Sequence, residues 1–137
     1  MNKITAKQLV RINGTVTARK KVPVTEEQMK KIEDVANSPY VQDEKFFFIY
    51  KTTIEKASKL GCEIFKIKPF DKGNRDTALL ALLTLLDVNG FKLKDYQDDL
   101  IELNEYVKKY DLTATNSWIM NHLEDNPFVK SVIITEE

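Results

Sequence analysis

The chain has 137 residues and a mass of 15.9 kDa; 42% of its residues are apolar, 31% are charged, and 21 Lys and Arg balance 21 Asp and Glu. A chain of this size sustains one hydrophobic core, so the expectation is a single domain over residues 1–137. The balanced charge argues against direct nucleic-acid binding, whose affinity comes from neutralising many phosphates. One Cys (Cys62) and one His (His122) exclude a disulfide framework and a zinc site of thiolate and imidazole ligands. Any metal would be a hard, oxygen-bound ion such as magnesium, and no residue is assigned to one.

Met1 to Thr5 lacks the apolar stretch and cleavage site of a signal peptide. The longest apolar run, Ala78 to Leu86, is far short of the ~20 residues that span a bilayer. The expected setting is therefore the cytoplasm, with no membrane partner. Thr5 is placed to cap a short helix carrying Leu9, Val10 and Ile12, with Gly14 at its end. Arg19, Lys20 and Lys21 follow in a loop closed by Pro23, either a solvated turn or a docking patch for an acidic partner. Thr25-Glu26-Glu27-Gln28 reads as a capping box that opens a helix to about Asn37, with Met29, Ile32, Val35 and Ala36 on its apolar face. Ser38-Pro39 stops it.

Tyr40 to Phe48 is expected to enter a longer helix that carries Ile49, Ile54, Ala57, Leu60, Ile64 and Phe65 toward Ile67. Phe46-Phe47-Phe48 packs the core in one reading, and lines a cleft or docks a partner in the other. The segment Asn74 to Asn89 is apolar on nearly every side and ends before Gly90, which predicts a central helix enclosed by others. A further helix is expected from about Asp95 to Lys109, with Leu100, Ile101, Leu103 and Val107 inside, and another from Thr113 to Leu123 bearing Trp118 and Ile119 as core residues. His122 complements the dipole at that helix's end, or takes part in catalysis. Phe128 to Ile134 is β-branched enough for a short strand or an extended tail. The fold class is all-α, a compact helical bundle.

The most informative stretch is Lys68-Pro69-Phe70-Asp71-Lys72-Gly73-Asn74-Arg75-Asp76-Thr77-Ala78. It delivers a Gly-Asn turn to the N-terminus of the central helix, where free amides and the positive end of the helix dipole favour an anion. Lys66, Lys68, Lys72 and Arg75 stand around it against Asp71 and Asp76. A simple capped helix is the plainer reading of those residues taken alone.

That run resembles the signature of the Fic/Doc (Fido) family, His-x-Phe-x-(Asp/Asn/Glu)-(Gly/Ala)-Asn-(Lys/Gly)-Arg followed by Thr-Ala. The likeness is to the short, Doc-like (death-on-curing) branch and covers roughly residues 3 to 123. Ile4 to Gly14 resembles its opening helix, Asn37-Ser38-Pro39 its break before a target-docking flap, and Leu85 to Phe91 its end to the central helix. The resemblance implies a compact Fido-type helical bundle. It also implies transfer of AMP or phosphate from a nucleotide to a protein such as translation elongation factor Tu, and silencing by a small antitoxin.

Residue by residue, the resemblance makes Phe70 the packing position of the motif, and Gly73 and Asn74 the phosphate-binding turn. Arg75 stands at the basic position before the family arginine. Lys68 stands where the family has its histidine base, Lys72 where it has the acid that holds magnesium, and Asp76 where it has the phosphate-clamping arginine. A lysine ammonium ordinarily titrates near ~10.4 and accepts no proton at neutral pH unless desolvation lowers that value. Rescue would require Asp71 or Asp76 to hold the metal and Arg75 to clamp phosphate. Base, metal and clamp act as a unit, so the expectation is a Doc-like protein with a degenerate site that binds a protein or nucleotide partner instead of reacting. The alternatives are a divergent transferase toxin using ATP or another nucleotide with magnesium, and an interaction protein that uses Phe46-Phe47-Phe48 or Arg19-Lys20-Lys21.

Overall fold

A computed structural model describes residues 2–124. Among them the chain is all-α: α1 (Ala6–Val16), α2 (Glu26–Asn37), α3 (Thr53–Ile67), α4 (Asn74–Val88), α5 (Leu100–Lys108) and α6 (Leu112–His122), with short 3-10 turns at Ser38–Tyr40 and Gln97–Asp99. No helix among these residues is long and apolar enough to cross a membrane. The stretch Phe128 to Ile134 lies outside the described residues.

Side-chain caps start four of the helices. Thr5 and Thr25 each accept a bond from the amide three residues on, while Gln8 and Gln28 reach back to the cap amides, completing two capping boxes. Thr52 and Asp111 cap α3 and α6 in the simpler way.

Four helices end alike, at a residue in the left-handed region just past the last turn: α1 at Ala18, α3 at Lys68, α4 at Gly90 and α5 at Tyr110, whereas α2 runs on into the 3-10 turn at Ser38–Tyr40 and α6 into extended backbone at Leu123. At α4 this residue is Gly90 (φ 84°), as the sequence suggests, and Phe91 N bonds Leu86 O at 3.0 Å. At α1 the helix runs past Gly14, and Ala18 (φ 53°) takes the left-handed place, with Arg19 N on Gly14 O at 2.8 Å. Gly14 is therefore not the helix end. It sits inside the last turn because a Cβ there would meet the Arg19 carbonyl oxygen at 2.9 Å.

Two expected helices begin later than expected. Residues 41–49 form a hairpin, with Gln42 bridged to Phe48 and Ile49 N bonded to Val41 O. The Asp43 carboxylate accepts the amides of Lys45 (2.8 Å) and Phe47 (3.0 Å), and Phe46 turns to φ 66°. This aspartate turn competes with helix formation, and α3 starts only after it. Phe46 (79% exposed), Phe47 (63%) and Phe48 (41%) stand outside the core, so the core-packing reading is corrected. Similarly, α5 begins at Leu100, and Ile101, expected inside, faces outward.

The core joins Leu9, Ile32, Leu60, Ile64, Leu82, Leu85, Leu86, Leu103 and Ile119, all fully buried. The α3–α4 pair is the most extensive helix contact, and Gly61 lets it close: a Cβ there would sit 3.0 Å from the Leu82 side chain. The enclosed element is α3, which touches α2, α4, α5 and α6. Although α4 is apolar all round, Leu79, Leu80 and Leu83 are only half-buried and Val88 is exposed. Cys62 lies wholly inside as a small apolar group.

Candidate functional site

Residues 68–73 join the two central helices. Lys68 closes α3 in the left-handed region (φ 50°), Pro69 and Phe70 are buried, and Gly73 (φ 76°) opens α4. Phe70 packs in the hydrophobic core. The space that a Cβ on Gly73 would fill is taken by α1: Thr17 Cγ2 would lie 2.6 Å away and Asn13 Nδ2 3.3 Å away. Glycine is required here by both the backbone angle and the closeness of α1.

The polar groups of the loop are bonded to its own scaffold. Asn74 Oδ1 accepts the Phe70 amide (3.0 Å) and Asn74 Nδ2 donates to the Phe70 carbonyl (2.9 Å), so this side chain ties the turn shut. Buried Asn13 donates to Lys72 O (2.8 Å) and Thr77 Oγ1 (3.1 Å). Arg19 holds Asp71 through two bonds of 2.9 Å and reaches Asn13 Oδ1 (2.9 Å) and Thr17 Oγ1 (2.8 Å). The bonds and charge of Arg19 keep the Asp71 carboxyl below its usual range, and those of Asp71 raise Arg19.

Asn13, Thr17 and Arg19 thus belong to the loop, and the sequence reading missed them. Asn13 lies four residues after Leu9, which places a polar side chain on the buried face of α1 and signals a partner inside. Arg19, first of the basic triplet, is spent internally and is no open docking charge.

The remaining expected site residues divide into two places. Lys72, Arg75 and Asp76 are exposed on the loop and the first turn of α4, where Arg75 Nε meets Asp76 Oδ1 at 3.3 Å. Among the described residues no side chain caps α4, so as far as these side chains are concerned its first amides are open to an anion. Lys68 is exposed, and its ammonium lies 5.2 Å from the Phe65 ring centroid. It lines a groove with Cys62, Phe65, Lys66, Val107, Lys108 and Tyr110, which includes none of residues 72–76. Lys68 and residues 72–76 thus do not line this groove together.

Magnesium does not fit these residues. Arg19 takes both oxygens of Asp71, Asp76 is paired with Arg75, and an ammonium occupies position 72. Among the described residues no three His, Cys, Asp or Glu side chains gather as a metal site.

His122 is bonded at both nitrogens. Nδ1 lies 2.7 Å from the Trp118 carbonyl and Nε2 2.7 Å from Asp99 Oδ2, while the ring stacks on Trp118 at 4.1 Å. Both partners are acceptors, so both nitrogens donate and the bonded form is the imidazolium. The residue joins the end of α6 to the turn before α5, consistent with the dipole reading. Comparison with protein-family models, curated proteins and solved structures finds no match for this chain.

Proposed function

We propose that the protein is a Doc-like Fido protein of the toxin–antitoxin kind that acts in the cytoplasm by binding a protein partner and carries out no phosphate or nucleotide transfer. One observation carries the absence of chemistry: Asp71, a carboxylate that could have replaced the missing metal ligand, is held at both oxygens by Arg19. Recruiting it would break a pair that also positions Asn13 and, through it, the Lys72 carbonyl. The sequence resemblance supplies the family part of this reading. The open amides of α4 leave room for a bound nucleotide phosphate, but the residues around them supply neither a base nor a metal.

The hairpin of residues 41–49 supports the binding part. Val41, Phe46, Phe47, Phe48 and Ile49 are exposed apolar side chains grouped on this one hairpin, the kind of grouping that marks interaction sites. Its position between α2 and α3 corresponds to the flap that the resemblance assigns to target docking. The partner is the family's translation-factor target or an antitoxin-like segment.

The test is retention of proteins from bacterial extract on immobilised wild type, Lys68→Ala and Phe46→Ser/Phe47→Ser. The reading expects the same retained protein with wild type and Lys68→Ala, and its loss with the double hairpin variant. Loss with Lys68→Ala and retention by the hairpin variant would reverse it.

A further inference from the structure

The groove lined by Lys68 opens between the C-terminal ends of α3 and α5 and encloses about 380 Å³. That volume falls within the ordinary range for small-ligand sites. Its walls are of two kinds: Cys62, Phe65, Val107 and Tyr110 form an apolar floor with two aromatic rings, and Lys66, Lys68 and Lys108 supply three ammonium groups. Among the described residues no carboxylate lines it.

Lysines at the ends of helices often do no more than balance the dipole, and here the magnitudes decide. Each helix C-terminus carries about half a negative charge, so two of them offset roughly one of the three lysines. Glu63, whose field reaches Lys66, is matched by its own ion pair with Lys59 at 2.8 Å and by a bond from the Tyr110 hydroxyl. With Asp111, whose field reaches Cys62 and whose carboxylate caps α6, also counted, about one to two positive charges remain over the aromatic floor. The Lys66 and Lys68 ammonium groups rest 5.4 Å and 5.2 Å from the Tyr110 and Phe65 ring centroids, on flexible stems that can swing toward a ligand.

We propose that this groove binds a small aromatic phosphate monoester, its ring on Phe65 and Tyr110 and its dianionic phosphate between Lys66, Lys68 and Lys108. The Lys59–Glu63–Tyr110 cluster fixes the Tyr110 ring in place, since the phenol is bonded to both charged partners. The site is independent of the loop at residues 72–76 and of the partner proposed for the hairpin.

Phenyl phosphate is the probe, with inorganic phosphate and phenol as its separate halves, followed by amide chemical-shift titration of the full chain. The expected result is saturable binding of phenyl phosphate, with shifts at residues 62–68 and 107–110 and weaker binding of either half. Lys66→Ala and Lys108→Ala should each weaken it about two- to fivefold, as for partly exposed charge pairs, and added salt should weaken it further. Lys31→Ala, on the exposed face of α2, should change nothing. Equal affinity for inorganic phosphate or for phenol would overturn the proposal, as would indifference to both groove lysines. Shifts confined to residues 73–76 would assign the phosphate to the α4 turn and remove the groove, leaving the reading of the hairpin intact.

Discussion

Arg19 and Asp71, 52 positions apart in the chain, meet through two parallel bonds of 2.9 Å and lock the end of α1 to the loop between α3 and α4. Such a fork-to-carboxylate pair is directional as well as attractive. Because Asp71 is held below its usual pKa by the bonds and charge of Arg19, the pair stabilises the fold at pH values above the unfolded carboxylate value of about 3.9. This stabilisation is lost as pH falls through the lower, folded value. Wild type should melt above Asp71→Asn at neutral pH, and the gap should close as pH falls below about 4. A gap that stays constant across that range would show that the charge of Asp71 is not what holds the loop.

Asn13 is the buried center of the same network. Its removal leaves the Lys72 carbonyl and Thr77 hydroxyl without their donor, so Asn13→Ala should lower stability by about 1–3 kcal/mol in denaturant titration. A loss much smaller than this would mean that water replaces the side chain without penalty.

Gly73→Ala combines a left-handed backbone angle with a Cβ placed 2.6 Å from Thr17. The backbone term is about 1–2 kcal/mol, and overpacking adds about as much again. The opposite change is expected at α1. Ala18 holds φ 53° on the exposed end of the helix, so Ala18→Gly should raise stability by about 0.5–1 kcal/mol. Thermal melting of the two variants checks both signs.

His122 adds a second pH dependence of opposite sign. Burial pulls its pKa down, but the bonds to Asp99 and the Trp118 carbonyl outweigh it and leave the value above the ordinary one. A raised pKa stabilises the fold fully below the unfolded value of about 6.5 and ceases to do so as pH rises through the folded value. Wild type should lose melting temperature relative to Asp99→Asn as pH rises above about 6.5. A difference that widens over this range would contradict the bonded imidazolium.

The helices were legible because their caps and periodicities are local: Thr25 with Gln28, the spacing of Met29, Ile32, Val35 and Ala36, and Gly90 after α4. The hairpin of residues 41–49 was not, since an apolar run containing three phenylalanines matches a buried helix as well as an exposed turn. Asp43, whose carboxylate takes two amides, decides between them. At the loop, Phe70, Gly73 and Asn74 could be placed from the chain alone. The engagement of Asp71 could not, because Arg19 reaches it across a distance in sequence that no local pattern records.

The central claim is that the scaffold grips without reacting. It is tested most directly by incubating the purified protein and bacterial extract with magnesium and ATP labelled at either the α- or the γ-phosphate, then reading label on protein. The account predicts no label above that of extract alone, with wild type and Lys68→Ala indistinguishable. Magnesium-dependent labelling of a discrete protein that disappears with Lys68→Ala would contradict it.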